Sequence, residues 1–276
     1  SFTHFTFHVG EDFCHLLSGL RAVYEAIEFL QLQSGDRLGH CTALGIDPNL
    51  WLEKNGDNCY MSRGEWLDNL VFVWYLTKEG MLNLSQAVIY GIERRIAELV
   101  AIIYVDVFLP HELSEAWLLR RFVPEEELNS YYPIYSYDSF QQNKILKKYK
   151  TDKTKHRISK LWQKYHEGLK CFSNENGDVV RSGCRYRYDE MIRIESDEIF
   201  GACELQQIQN ALLDLLSEKN LIIEALPSSN MRISLYDNLQ DYHLKQWLND
   251  NMNGRAQPTV VLGSDDPGIF MTNIYN

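Results

Sequence analysis

Hydrophobic and polar positions alternate with a period of two along Phe5-Thr6-Phe7-His8-Val9, and the run closes on Gly10 and Glu11. That pattern predicts a strand that delivers His8 at its C-terminal end, with Glu11 in the turn behind it. From Phe13 to Leu32 the period changes. Phe13, Leu16, Leu17, Leu20, Val23, Ile27 and Leu30 recur at helical spacing, which predicts an amphipathic helix. Ser34-Gly35-Asp36 stops it. Arg37 to Leu44 predicts a second strand, around His40. Strand, helix, strand at about 30 residues per unit is the pattern of parallel βα repeats.

Between about 51 and 204 this alternation disappears. Trp66, Leu67, Leu70, Val71, Trp74 and Tyr75 mark a helix. Leu84 to Leu109 predicts a longer, nearly all-apolar and buried helix, and 111–121 another. Residues 124–140 are rich in Tyr and Pro without a clean period. Asn174 to Asp178 reads as a turn. The block is expected to be a mainly helical insertion with subunit contacts in a large homo-oligomer. Alternation then returns. Leu205 to Lys219 predicts a helix and Leu221 to Leu226 a buried strand. Leu239 to Asn251 predicts a helix and Pro258 to Gly263 a last strand. The expected segments are therefore 1–50, 51–204 and 205–276.

Composition narrows the function classes. Of the 276 residues 45% are hydrophobic, with 16 Tyr, 12 Phe and 6 Trp, ample for a core. A net charge of −11 argues against a nucleic-acid binder driven by bulk charge. The six cysteines form no CxxC pair, which suits free thiols in a reducing cytoplasm. The longest apolar run, Ile96 to Pro110, carries Glu98 and Asp106 and is too short to span a bilayer, so no membrane role is expected. Lys144 to Lys170 holds ten Lys or Arg. It reads either as a solvated helix face or as a docking surface for phosphate, RNA or an acidic partner.

Candidate chemistry gathers at the predicted strand ends. They bring His8 and Glu11, then Gly39-His40, then Ser264-Asp265-Asp266-Pro267. Histidines and carboxylates fixed on strand ends are the inventory of a metal-dependent hydrolase. Adjacent carboxylates at 265 and 266 point to different sides, so one can reach metal and the other substrate. Each residue also has a bland reading. A lone strand-end His is usually structural, and Asp before Pro is turn chemistry. Ser229-Asn230 reads as a loop that shapes the pocket. His243 is expected to be structural, and His15, His111, His156 and His166 to carry no chemistry.

His8-Val9-Gly10-Glu11, Gly39-His40, Leu226-Pro227-Ser228-Ser229-Asn230 and Ser264-Asp265-Asp266-Pro267, in that order, resemble the second half of the adenosine/AMP deaminase superfamily. Those enzymes are zinc-dependent (β/α)8 TIM barrels. Phe7 to Phe13, Ser18-Gly19-Leu20-Arg21 and the large insertion look most like the adenosine deaminase subunits of bacterial RADAR anti-phage systems. The resemblance implies an α/β fold: the C-terminal half of a TIM barrel, strands five to eight, interrupted by a helical insertion. It implies Zn2+ as cofactor, with His8 and Asp265 as metal ligands. Glu11 resembles the acid that protonates purine N1, and His40 the histidine that orients and deprotonates the catalytic water. Asp266 resembles the carboxylate that holds the purine N7 edge, and Gly10 falls among the substrate-binding positions. The implied substrate is an adenine nucleoside or nucleotide (adenosine, AMP, ATP or adenosine in RNA), and the implied partner an ATPase subunit.

The family's strand-one His-x-His pair has no match here. His4 and His8 are four apart and do not substitute for it. The first half of the barrel is therefore expected to lie outside this sequence. Two other readings stand beside the deaminase: a degenerate barrel serving as an assembly scaffold, and another amidohydrolase. The His-x-Gly-Glu acid motif favours purine deamination, and a scaffold has no need of all five of His8, Glu11, His40, Asp265 and Asp266.

Overall fold

A computed structural model describes residues 3–122, 155–169, 172–173, 179–180, 183–252 and 258–265. The Tyr-rich 131–137 stretch, Cys171, the 174–178 turn, Asp266 and the first part of the basic run lie outside the described residues. The chain is mixed α/β and divides into two compact units. One comprises Ser1–Met61, Leu76–Val88 and Arg193–Asn276, the other Ser62–Tyr75 and Ile89–Ile192.

The first unit is built on a four-stranded parallel sheet. Its strands are Thr6–Val9, Arg37–His40, Ile222–Ala225 and Thr259–Leu262, side by side in chain order and all parallel. The described strands form an open sheet, not a closed barrel. Short parallel strands need crossover connections, and the helix Leu16–Phe29 supplies the first. Leu16, Leu17, Leu20, Val23 and Ile27 are wholly buried along one of its faces. The sequence predicts this helix from Phe13, but it begins at Leu16. His15 is its N-cap, and its Nδ1 accepts the Leu17 N–H at 3.1 Å, a bond that ends the helix there. The ring's Nε2 faces the Ser196 carbonyl at 3.3 Å.

The second strand also ends earlier than its apolar run suggests. It stops at His40, and Thr42–Gly45 forms one helical turn. The third strand leads straight into the helix Pro227–Ile233, where a loop is expected from sequence. Pro227 occupies the first turn, where its missing N–H costs nothing. The register sets Leu38 against Ile223 and Phe7, and Gly39 against His8 and Glu224. Leu38, Ile223 and Ala225 are fully buried. His8, Gly39, Glu224 and Val261 form a row across the opposite face.

The second unit is mainly helical. Gln86–Tyr104, expected to be buried all round, is amphipathic instead. Ile92, Ile96, Leu99, Val100 and Ile103 are buried, whereas Tyr90 and Ile102 are exposed. The helix stops at Tyr104, and Val105 turns left-handed with φ 53°. Asp68 and Arg120 pair inside this unit, with Arg120 Nη2 donating to Asp68 Oδ1 at 2.9 Å. The Tyr188 hydroxyl donates to the same carboxylate, and the guanidinium lies 3.8 Å from the Tyr165 ring centre. In the described part of the basic run, the helix His156–Leu169 buries Ile158, Leu161 and Trp162. Lys155 pairs with Glu115 at 3.0 Å and Arg157 with Glu112 at 2.7 Å. No helix among the described residues is long and apolar enough to cross a membrane.

Candidate metal and catalytic site

The site lies in the first unit, at the C-terminal ends of the sheet strands. Position 8 and position 39 are direct neighbours in the register. The His8 ring lies over Gly39: a Cβ at position 39 would stand 2.3 Å from His8 Cδ2. Only a residue without a side chain leaves the imidazole that place.

Strand alternation would set His40 with Val9, on the side of the sheet away from His8. The chain leaves the strand path instead. His40 has φ 65° and Cys41 has φ 52°, two successive left-handed residues that each cost about 1–2 kcal/mol. The Cys41 N–H bonds the Val9 carbonyl at 3.0 Å, and the Ala43 N–H bonds the Gly10 carbonyl at 2.7 Å. These bonds tie the two strand ends together and hold the turn. Gly10 itself has φ 74°, with Val23 so close that an added Cβ would stand 2.9 Å from it. The result is that His8 and His40 meet edge to face, ring centres 4.7 Å apart.

The carboxylates complete the site. Glu11 Oε2 lies 3.0 Å from His40 Nδ1. Asp265, also left-handed with φ 57°, brings Oδ2 to 3.9 Å from His40 Nε2. His40 is almost wholly buried, at 2% exposure, while Glu11 and Asp265 are partly exposed. A water or substrate can therefore reach the carboxylates. Beside them the Cys41 thiol is pushed well above the usual range by burial, with the Glu11 charge adding to it. It stays protonated and is no nucleophile.

Four of the side chains picked out at sequence level thus meet here: His8, Glu11, His40 and Asp265, with Gly10 in the turn between them. Asp266 lies outside the described residues. One ligand atom each from His8, Glu11 and His40 falls within 4.8 Å of the others. Zinc holds N and O ligands at about 2.0–2.2 Å, so ligand atoms about 4 Å apart or closer can share an ion. Two imidazoles and a carboxylate are donor types that zinc accepts, but Asp265, which the resemblance pairs with His8 as a ligand, is not in this trio.

Asn230 and Tyr242 belong to the site and were not singled out for chemistry by sequence. Asn230 is fully buried, with Oδ1 2.8 Å from His40 Nδ1. Its Nδ2 donates to the Tyr242 hydroxyl at 2.9 Å. Burial pushes the Tyr242 hydroxyl up to about 12, against a smaller opposing effect of the Asn230 bond, so it stays protonated. Asn230 stands in a motif that reads as a loop; the helical turn from Pro227 is what carries it inward. Tyr242 has no sequence signal, being one tyrosine among sixteen.

His243, expected to be structural, is buried at 3% exposure. Its Nδ1 is 2.5 Å from the Tyr236 hydroxyl, and burial lowers its pKa to about 3. No protein-family model matches this chain, and no curated protein matches it in sequence.

Proposed function

We propose that this chain is the catalytic part of a zinc-dependent hydrolase of the adenosine deaminase type. It converts an adenine nucleoside or nucleotide to the inosine form and ammonia. The observation that carries the reading is the meeting of His8, Glu11, His40 and Asp265 at the ends of neighbouring parallel strands. These are the residues, in the order, on which the resemblance rests. On this reading the sheet is strands five to eight of a (β/α)8 barrel, and the helical unit is an insertion into it.

By the resemblance, His8 and Asp265 would hold the metal, which when bound would make water acidic enough to supply hydroxide near neutral pH. His40 Nε2 faces Asp265 and takes the proton from the attacking water. Glu11, 3.0 Å from the same imidazole, protonates the purine ring nitrogen N1 as the water oxygen bonds to C6. On collapse the C6–N bond breaks: His40 passes its proton to the amine, which leaves as ammonia, and the adduct's hydroxyl proton returns to Glu11 as the C6 carbonyl forms. Burial of His40 keeps bulk water off the imidazole and fixes its orientation. Asp266 reads the purine N7 edge.

The wider setting follows from the resemblance: phage defence in the cytoplasm, a large homo-oligomer and an ATPase partner. The test is chromatography of products after incubation with adenosine, AMP, ATP and an adenosine-containing RNA. Each is run beside Glu11→Gln, with zinc content measured on the same samples. Inosine product that disappears in the variant supports the deaminase and names its substrate. No product with zinc bound leaves another amidohydrolase, and no product without zinc leaves a scaffold.

A further inference from the structure

We propose that Asn230, held in turn by Tyr242, is a positioning residue that keeps the His40 proton on Nδ1 and leaves the Nε2 lone pair facing Asp265. The proposal extends the reading above, because it assigns the tautomer that the general-base role of His40 requires.

His40 Nδ1 has two neighbours, Asn230 Oδ1 at 2.8 Å and Glu11 Oε2 at 3.0 Å. A carbonyl oxygen and a carboxylate oxygen both accept hydrogen bonds. A nitrogen facing two acceptors must carry the hydrogen, so Nε2 carries the lone pair in the neutral ring. The amide of Asn230 could in principle be turned about, with its NH2 toward the ring. Partners at hydrogen-bond distance stand at Nδ1, whereas Asp265 Oδ2, 3.9 Å from Nε2, is too far to accept a hydrogen bond from that nitrogen. The Tyr242 hydroxyl, 2.9 Å from Nδ2, gives the amide hydrogens an acceptor in the orientation that aims Oδ1 at His40. Asn230 is also fixed at its backbone, where its N–H bonds the Leu226 carbonyl at 2.9 Å.

Asn230 has a task that Glu11 cannot perform alone. An acid that protonates the substrate must change its own charge and its hydrogen bond within each cycle. A neutral amide does neither. Asn230 therefore holds the Nδ1 proton while Glu11 is engaged elsewhere, and the base remains available at Nε2.

The test is nitrogen-15 NMR of histidine-labelled full-length chain, at a pH where the ring is neutral, with His40 assigned through His40→Gln. The wild type is expected to give the Nδ1–H tautomer. Asn230→Leu, which removes the acceptor at similar volume, should shift the ring toward Nε2–H. Asn230→Asp, which restores an acceptor, should return it to Nδ1–H. Tyr242→Phe should produce a smaller shift in the same direction. In turnover, Asn230→Leu is expected to lower kcat about 10–100-fold with little change in KM. Two results overturn the proposal: Nε2–H in the wild type, or an unchanged Nδ1–H signal in a folded Asn230→Leu chain. The wild-type spectrum decides even if that variant does not fold. It also decides if no deaminase activity is found, so failure of the positioning role and failure of the proposed function are separate results.

Discussion

Gly39 and His8 are register partners on adjacent strands, and the imidazole of one occupies the space that a side chain on the other would need. A methyl group at position 39 would lie 2.3 Å from His8 Cδ2 and 3.0 Å from Nε2. Gly39→Ala must therefore move the ring that is proposed to bind metal. It is expected to lower zinc affinity and turnover about 10-fold or more, with the helical circular dichroism signal retained. Zinc titration with a chromogenic competitor, alongside thermal unfolding, reads this directly. Wild-type zinc affinity in Gly39→Ala would remove His8 from the ligand set.

Glu11→Gln keeps the shape of the side chain and removes the proton it can donate. General acid catalysis contributes about 10²- to 10⁴-fold, and turnover is expected to fall within that range. The carboxylate is partly exposed, so the melting temperature should move little. A variant that keeps more than a tenth of the wild-type rate would show that another group protonates the substrate.

Three buried histidines give the chain a specific pH response. Burial lowers His15 to about 4, against the smaller opposing effect of its bond to the Ser196 carbonyl; burial, helped by the Arg120 charge, lowers His166 to about 4; and burial lowers His243 to about 3. Unfolded, each titrates near the ordinary 6.5. Between those limits the unfolded chain binds more protons than the folded one, so stability falls as the pH is lowered. The stability is fully present above pH 6.5 and is lost progressively below it. Each histidine accounts for a few kcal/mol, taking about 1.4 kcal/mol per unit. Urea unfolding between pH 7.5 and 4.5 should show this slope. His15→Asn, which keeps an N-cap side chain but does not titrate, should make it shallower, with the remaining slope due to the other buried histidines.

In the helical unit, Asp68 is the counter-charge of the largely buried Arg120 and also accepts from Tyr188. Burial opposes the charge on Arg120, yet the Asp68 carboxylate holds its pKa well above the usual value. Asp68→Ala leaves a cation without its partner and should cost about 3–5 kcal/mol. Replacing both residues with apolar ones should cost less than the single change. A double-mutant cycle on thermal unfolding measures the difference.

Local pattern was enough for the four strands of the parallel sheet and the long helices, but not for the paired strands Asn58–Ser62 and Met191–Glu195 or the helix from Pro227. The period-two run at Phe5–Val9, the buried apolar run at Leu221–Leu226, the last strand at Pro258–Gly263 and the helical period from Leu16 to Ile27 follow from which residues can face a core. That constraint acts residue by residue along the chain. The parallel order of the strands followed too, because the intervening helices leave no shorter connection. His8, Glu11, His40 and Asp265 were legible because each stands at the end of such a run. The ends of the elements were less so. His15 caps a helix with its ring, and the break at His40 is made by two left-handed residues that a β-type sequence does not announce.

What the tertiary structure decided is which side chains meet. Alternation puts His8 and His40 on opposite faces of the sheet. Only the left-handed turn at His40 and Cys41, held by bonds to Val9 and Gly10, brings their rings to 4.7 Å. Asn230 and Tyr242 enter the site through a helix that follows directly on a strand and through a residue twelve positions further on. No local period records such contacts, because they join segments separated by up to 190 positions. The amphipathic burial of Gln86–Tyr104 was hidden for a related reason. An apolar run shows that a face can be buried; its neighbours decide which face is.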